Sequence, residues 1–206
     1  MDFSSGLAVD PSQITSFFAD VFSASEGPEE GAVIGTFVRE LVNSTPPEDI
    51  LVCTAHHDHE LLGCAIFSRM TFSQDTRNVF ILSPMAVQTG SQKTGIGQAL
   101  ISYGLDRLRA SGVDVALTYG DPAYYCKTGF VQITEDTAQP PLKLSHPHGW
   151  LGQALDGHEL KPLKGPSTID TTSPTLKSIW CFGSSLPIRF MLPCEVTGLR
   201  SRKTIS

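Results

Sequence analysis

The chain lacks the surplus of positive charge that a nucleic-acid surface needs. Lys and Arg number 15 against 21 Asp and Glu, a formal charge of −6. Binding a phosphate backbone takes clustered cations, so no nucleic-acid partner is expected, although a local anion site is compatible with this balance. A cysteine framework is missing too. Cys53, Cys64, Cys126, Cys181 and Cys194 are odd in number and show no CxxC spacing, which argues against a disulfide frame or a zinc site. Cys53 and Cys64 lie inside apolar runs, as small core residues of a protein in a reducing compartment would. No apolar run approaches the roughly 20 residues of a membrane-spanning helix, and residues 1–5 carry no basic flank ahead of a hydrophobic stretch. The expectation is a cytoplasmic protein with no membrane partner and no metal.

What is present suits a globular protein. The chain has 206 residues, 40% of them apolar and 17% charged, enough for one domain, or one domain and a tail, with a real core. Its organising stretch is 79–130. The apolar run Val79-Phe80-Ile81-Leu82 leads through Ser83-Pro84 and Met85-Ala86-Val87 into the polar turn Gly90-Ser91-Gln92-Lys93-Thr94-Gly95-Ile96-Gly97. A helical pattern follows, with Ile96, Ala99, Leu100 and Tyr103 at helical spacing and Ile101, Leu105 and Leu108 widening the arc. Ser111-Gly112 supplies its stop.

Strand, glycine turn and helix make a physically plausible phosphate site. The first turn of a helix has N–H groups without internal partners, and the helix dipole adds partial positive charge there. Gly95 and Gly97 would let a diphosphate approach closely, and Lys93 adds a cation. Alternatively, both glycines merely let a tight turn pack.

Elsewhere, Asp10-Pro11 predicts the start of a helix bearing Ile14, Phe17, Phe18, Val21 and Phe22 on its core face. Residues 25–30 read as a linker to a second helix with Ile34, Phe37, Val38 and Leu41 on one face. Residues 50–54 and 61–67 read as a hairpin. Its tip, His56-His57-Asp58-His59-Glu60, holds competent metal ligands, but they are too crowded to converge, so a solvated tip is expected. Pro84 lacks a ladder donor, which predicts an edge or a bulge for 79–87 and a slot in the sheet. Strands are expected at 113–119, 130–133 and 150–155, with a short helix opened by Asp121-Pro122 that carries Tyr124 and Tyr125. Beyond residue 161 proline, glycine, serine and threonine dominate until an apolar segment at 179–194.

The proline-broken strand, Gln92-x-x-Gly95-x-Gly97, the helix and Tyr125-x-x-x-Gly129-Phe130 together resemble the GNAT superfamily of acyl-CoA N-acyltransferases. The run from Gly120-Asp121-Pro122 to Gly129-Phe130 is most similar to its YhbS-like branch. The resemblance is clear over 79–133 and extends from 10 to about 155. It implies an α/β (α+β) fold with a mixed, mostly antiparallel sheet splayed at a central strand pair and helices on both faces. It further implies a GNAT domain at 10–155, with 156–206 as a C-terminal extension.

The same resemblance implies an N-acetyltransferase that uses acetyl-CoA as cosubstrate and transfers directly to a primary amine in a ternary complex. Residues 92–97 (Gln92, Lys93, Thr94, Gly95, Ile96, Gly97) would hold the diphosphate, and main-chain groups of Met85, Ala86 and Val87 would meet the pantetheine arm and polarise the acetyl carbonyl. Tyr125 would protonate the leaving thiolate. The departure from the family is at the base. Many members carry a glutamate on the strand before the turn, and residues 80–87 contain no carboxylate. Asp121, His146, His148 or a water chain stand in its place, with Asp121 most simply an N-cap. The acceptor is a small-molecule amine or a protein amine, and a homodimer is compatible with the sequence. The alternative from another class is a non-catalytic acyl-CoA-binding sensor. A dinucleotide-binding unit fits less well, since Leu100 stands where its third glycine would be.

Overall fold

The structure is a computed structural model that describes residues 1–6 and 9–169. The apolar segment expected at 179–194, with Cys181 and Cys194, lies outside the described residues. Strand β1 (Asp2–Ser5) opens the chain and was not legible in the sequence. Four residues are too few for a period-two signal, but the Phe3 ring stacks on Tyr103 with centroids 5.6 Å apart. Helix α1 (Pro11–Glu26) starts as expected, the Asp10 carboxylate accepting the Ser12 N–H at 2.8 Å with Pro11 in the first turn. Ile14, Phe18, Val21 and Phe22 are buried, and Phe17 packs at the edge of the stripe.

Helix α2 (Pro28–Ser44) corrects the expected linker at 25–30. Only Gly27 separates the helices: its φ of 110° is a conformation that favours glycine, and Pro28 restarts a helix at once. Glu29 and Glu30 then sit in the first turn of α2, where the helix dipole favours acidic side chains. The polar residues that suggested a loop are therefore a helix start.

The sheet is built from β2 (Ile50–His57), β3 (Glu60–Phe72), β4 (Val79–Val87), β5 (Val115–Tyr119), β6 (Val131–Gln132), β7 (Trp150–Ala154) and β8 (Ser167–Ile169), together with β1. Its order is β1-β2-β3-β4-β5-β7-β6, with β8 beside β3. Every pairing is antiparallel except β4 with β5. Helix α3 (Ile96–Ala110) is the crossover that the parallel pair requires.

Alternation along the strands sorts the core. Cys53, Phe67, Phe80, Leu82 and Ala116 pack with the α3 residues Leu100, Ile101 and Leu105, while Val52, Cys64, Ile66 and Ala86 pack with α1 and α2. On the face opposite α3, Val79, Ile81, Val115 and Leu117 are covered by Trp150 and by Ala138 and Leu163 of the later chain. The Trp150 Nε1–H donates to Ala138 O at 2.8 Å. The expected fold class is what the structure shows: a mixed, mostly antiparallel sheet with helices on both faces. Pairing also runs past both ends of the 10–155 span, through β1 and β8.

A latch fastens the late chain to the β3–β4 turn. Arg77 donates to both oxygens of Asp75 at 2.9 and 2.7 Å, and also to Lys161 O and Pro162 O. Lys164 N–H donates to Asp75 Oδ2 at 3.0 Å. The Arg77 guanidinium beside it holds the Asp75 carboxyl well below the usual carboxylate range. A depressed folded-state value means that the contribution is present above the unfolded value and is lost as pH falls through the folded one. Arg77→Ala leaves the half-buried carboxylate without its main partner and should lower stability by about 1–3 kcal/mol at neutral pH. Urea midpoints at pH 7 check this; an unchanged midpoint would show the latch to be idle.

Candidate active site

Strand β4 is central, with all nine of its residues buried. Pro84 therefore marks a break and not an edge. Opposite it the β3 register shifts between Ala65 and Phe67, as expected where a residue cannot donate to the ladder. On the other side, β4 pairs with β5 only as far as Leu82 and Thr118, yet runs on to Val87. Thr118 Oγ1 donates to Leu82 O at 3.1 Å at the base of this fork. Beyond it β5 stays with β7, Tyr119 opposite Trp150. The sheet is thus splayed at the β4–β5 pair, as expected.

The fork exposes main-chain groups. Gln88 N–H donates to Leu62 O at 2.8 Å, toward β3. Period-two alternation therefore turns the groups of Val87 and Met85 away from β3 and into the fork, and those of Ala86 toward β3. Consistent with this, Val87 O accepts from the Gln92 side-chain amide at 3.2 Å. The Gln92 side chain thus commits one of its two amide N–H groups to the end of β4.

The turn itself is strained in the way its glycine permits. Lys93 has φ 63° and Gly95 has φ 88°, ψ −4°, both left-handed. Thr94 Oγ1 is committed to Ser91 O at 2.6 Å. Gly95 is the N-cap of α3 and offers no side-chain cap, so the N–H groups of the first turn, those of Ile96 and Gly97 among them, keep the partnerless geometry of a helix start. A Cβ at Gly95 would meet nothing within 4 Å, whereas one at Gly97 would collide with the Tyr124 hydroxyl and lie 3.3 Å from Met85 Cε and Val87 Cγ2. The two glycines do different jobs: Gly95 bends the turn and keeps its outer side open, and Gly97 admits a neighbouring tyrosine.

Helix α4 (Pro122–Tyr125) brings that tyrosine in. Asp121 caps it, Oδ1 accepting the Ala123 N–H at 2.9 Å. Tyr125 is fully buried, edge-on to Tyr124 at 5.2 Å and to Phe130 at 6.0 Å, in one cluster with Met85 and Val87. Tyr124 lines a cavity of about 400 Å³ with Lys93, Gly95, Gln98, Asp121, Ala123 and Lys127. Sequence reasoning missed Tyr124 and Lys127 as parts of this wall. Consecutive tyrosines on a helix point about 100° apart, which was the available signal.

His146 and His148 are exposed on one loop, with rings 5.7 Å apart. The loop is tied to the end of β5: His146 N–H donates to the Tyr119 hydroxyl at 2.9 Å, and Gly120 N–H to Gly149 O at 2.8 Å. Burial pushes the Tyr119 phenol up, against the lowering effect of that hydrogen bond. Neither buried thiol is a nucleophile, since desolvation pushes Cys53 up to about 12 and Cys64 higher still. At the hairpin tip, Asp58 and His59 take left-handed conformations that make the two-residue turn. Among the described residues no group of three or more His, Cys, Asp or Glu could hold a metal ion, and no helix is long and apolar enough to cross a membrane.

Comparisons with known proteins agree with this geometry. Residues 13–130 match the Acetyltransferase (GNAT) family. The "Uncharacterized N-acetyltransferase YjhQ" of Escherichia coli (strain K12) is 29% identical over 123 residues, covering 57% of this chain and 68% of that protein. Among solved structures, the GNAT family N-acetyltransferase YhbS of Escherichia coli in complex with CoA superposes with a TM-score of 0.62 at 20% identity, over 82% of this chain and 89% of the other. A GNAT family acetyltransferase of Brucella melitensis in complex with acetyl-CoA gives 0.57 at 22% identity, over 82% and 96%. With the family matched over more than half of its length and the splayed sheet in place, the chain belongs to the GNAT family of acetyltransferases.

Proposed function

We propose that this protein moves an acetyl group from acetyl-CoA to a primary amine by direct transfer in a ternary complex. The observation that carries the proposal is the fork itself: a slot between β4 and β5 into which main-chain groups of Met85 and Val87 turn, running up to a helix N-terminus behind Gly95 that has no side-chain cap. The CoA and acetyl-CoA complexes of the two structural neighbours support the same donor. In this reading the N–H groups of 92–97 take the diphosphate, with Lys93 beside them, and the pantetheine arm lies along 85–87 as an added strand would. The catalytic unit is built on 10–155, and β1 and the stretch from Leu163 to β8 complete its core and sheet.

The amine must arrive neutral, because an ammonium has no lone pair. Its nitrogen attacks the acetyl carbonyl carbon, main-chain donors near Met85 stabilise the oxyanion, and the carbon–sulfur bond breaks as the intermediate collapses. The sulfur takes a proton from the Tyr125 hydroxyl, the proton released by the amine leaves through water, Asp121, His146 or His148, and the tyrosinate regains a proton from solvent before the next turnover. The absence of a carboxylate on 80–87 favours one rival, a sensor that binds the donor without turnover. A steady-state thiol-release assay with acetyl-CoA across a panel of small amines and peptide N-termini separates them. The proposal predicts amine-dependent CoA release; saturable binding without release on any acceptor would favour the sensor.

A further inference from the structure

The cavity beside the glycine turn has a second wall that the turn does not supply. Lys93 reaches it from the turn, and Lys127 from the 3₁₀ turn that follows α4. Neither lysine forms an ion pair with any described residue. Asp121 is the one acidic residue in the lining, and one of its oxygens already accepts the Ala123 N–H. The lining therefore carries a net positive charge in a chain whose total is −6. Two lysines in one lining favour an anion as the cavity's occupant.

We infer that Lys127 binds the 3′-phosphate on the donor's ribose, and that this cavity selects coenzyme A over its 3′-dephospho form. The inference rests on the reading that acetyl-CoA is the donor with its diphosphate on the glycine turn. Coenzyme A carries two separate phosphate groups at its adenosine end: the diphosphate and a 3′-phosphomonoester. The turn's N–H groups and Lys93 face the first. The phosphomonoester, close to two negative charges at neutral pH, needs its own cation, and Lys127 is the second cation of the lining, supplied by the turn after α4. The selectivity arises because a 3′-dephospho donor leaves Lys127 unused while its diphosphate contacts stay as they are.

Titration calorimetry with CoA and with 3′-dephospho-CoA, on the full chain as wild type, Lys127→Ala and Lys127→Arg, tests this. Lys127 is exposed, so both variants should fold as the wild type does, which circular dichroism verifies. Wild type should bind CoA about tenfold or more tightly than the dephospho form, the scale of one charge-assisted contact. Lys127→Ala should lose that preference by weakening CoA alone, and Lys127→Arg should keep it. Equal affinities for the two ligands in wild type, or equal weakening of both in Lys127→Ala, would overturn the inference and leave the donor assignment standing. Failure of wild type to bind either ligand would overturn both.

Discussion

Replacing Tyr125 with phenylalanine should lower kcat by about 100-fold or more while acetyl-CoA affinity stays within about twofold. The size follows from the task assigned to the hydroxyl, because removing a positioned general acid costs roughly 10²–10⁴ in rate. The selectivity follows from where the ring sits. Tyr125 is buried edge-on to Tyr124 and Phe130, and a phenylalanine ring preserves both contacts and the packing on Met85 and Val87. Only the proton donor goes. Pre-steady-state thiol release with saturating acceptor checks the effect at the chemical step. A variant with wild-type kcat would remove Tyr125 from the mechanism, and one that lost affinity and rate together would give it a binding role instead.

The Gly95→Glu variant should fold but lose acetyl-CoA binding by about 100-fold or more. Its backbone has φ 88°, so a non-glycine residue there costs on the order of 1 kcal/mol. That is small against an ordinary domain stability of about 5–15 kcal/mol. The added Cβ meets no protein atom within 4 Å, so no core packing is disturbed. The space that it enters is the space proposed for the diphosphate, and the new carboxylate would both fill it and oppose the anion's charge across a few ångströms. Gly97 would be a poor probe of the same idea. A Cβ there strikes the Tyr124 hydroxyl and crowds Met85 and Val87, so lost binding could not be told from a displaced α4.

Much of the frame around the candidate site was legible because each signal was local. Asp10-Pro11 and Asp121-Pro122 announce helix starts through one side-chain hydrogen bond and one fixed dihedral each, and both caps are formed. The period of the run 96–108 gave α3, and Pro84 announced the break in β4. What local reasoning could not reach was pairing partners. Whether Pro84 made an edge or a bulge depended on β5, and β1 and β8 are strands only because β2 and β3 offer them hydrogen bonds. The linker at 25–30 misled because glutamates at a helix start and in a loop have the same composition. Tyr124 and Lys127 escaped because the family motif drew attention to Tyr125, while its neighbours turn toward the cavity.

Titration calorimetry of acetyl-CoA into the wild type and the Gly95→Glu variant tests the central claim most directly. One-site saturable binding to wild type, lost in a variant whose circular dichroism is unchanged, is the predicted result; it would assign the donor to the fork and the glycine turn. No binding to a folded wild type would contradict the acetyl-CoA assignment itself, and undiminished binding to Gly95→Glu would move the diphosphate away from the turn.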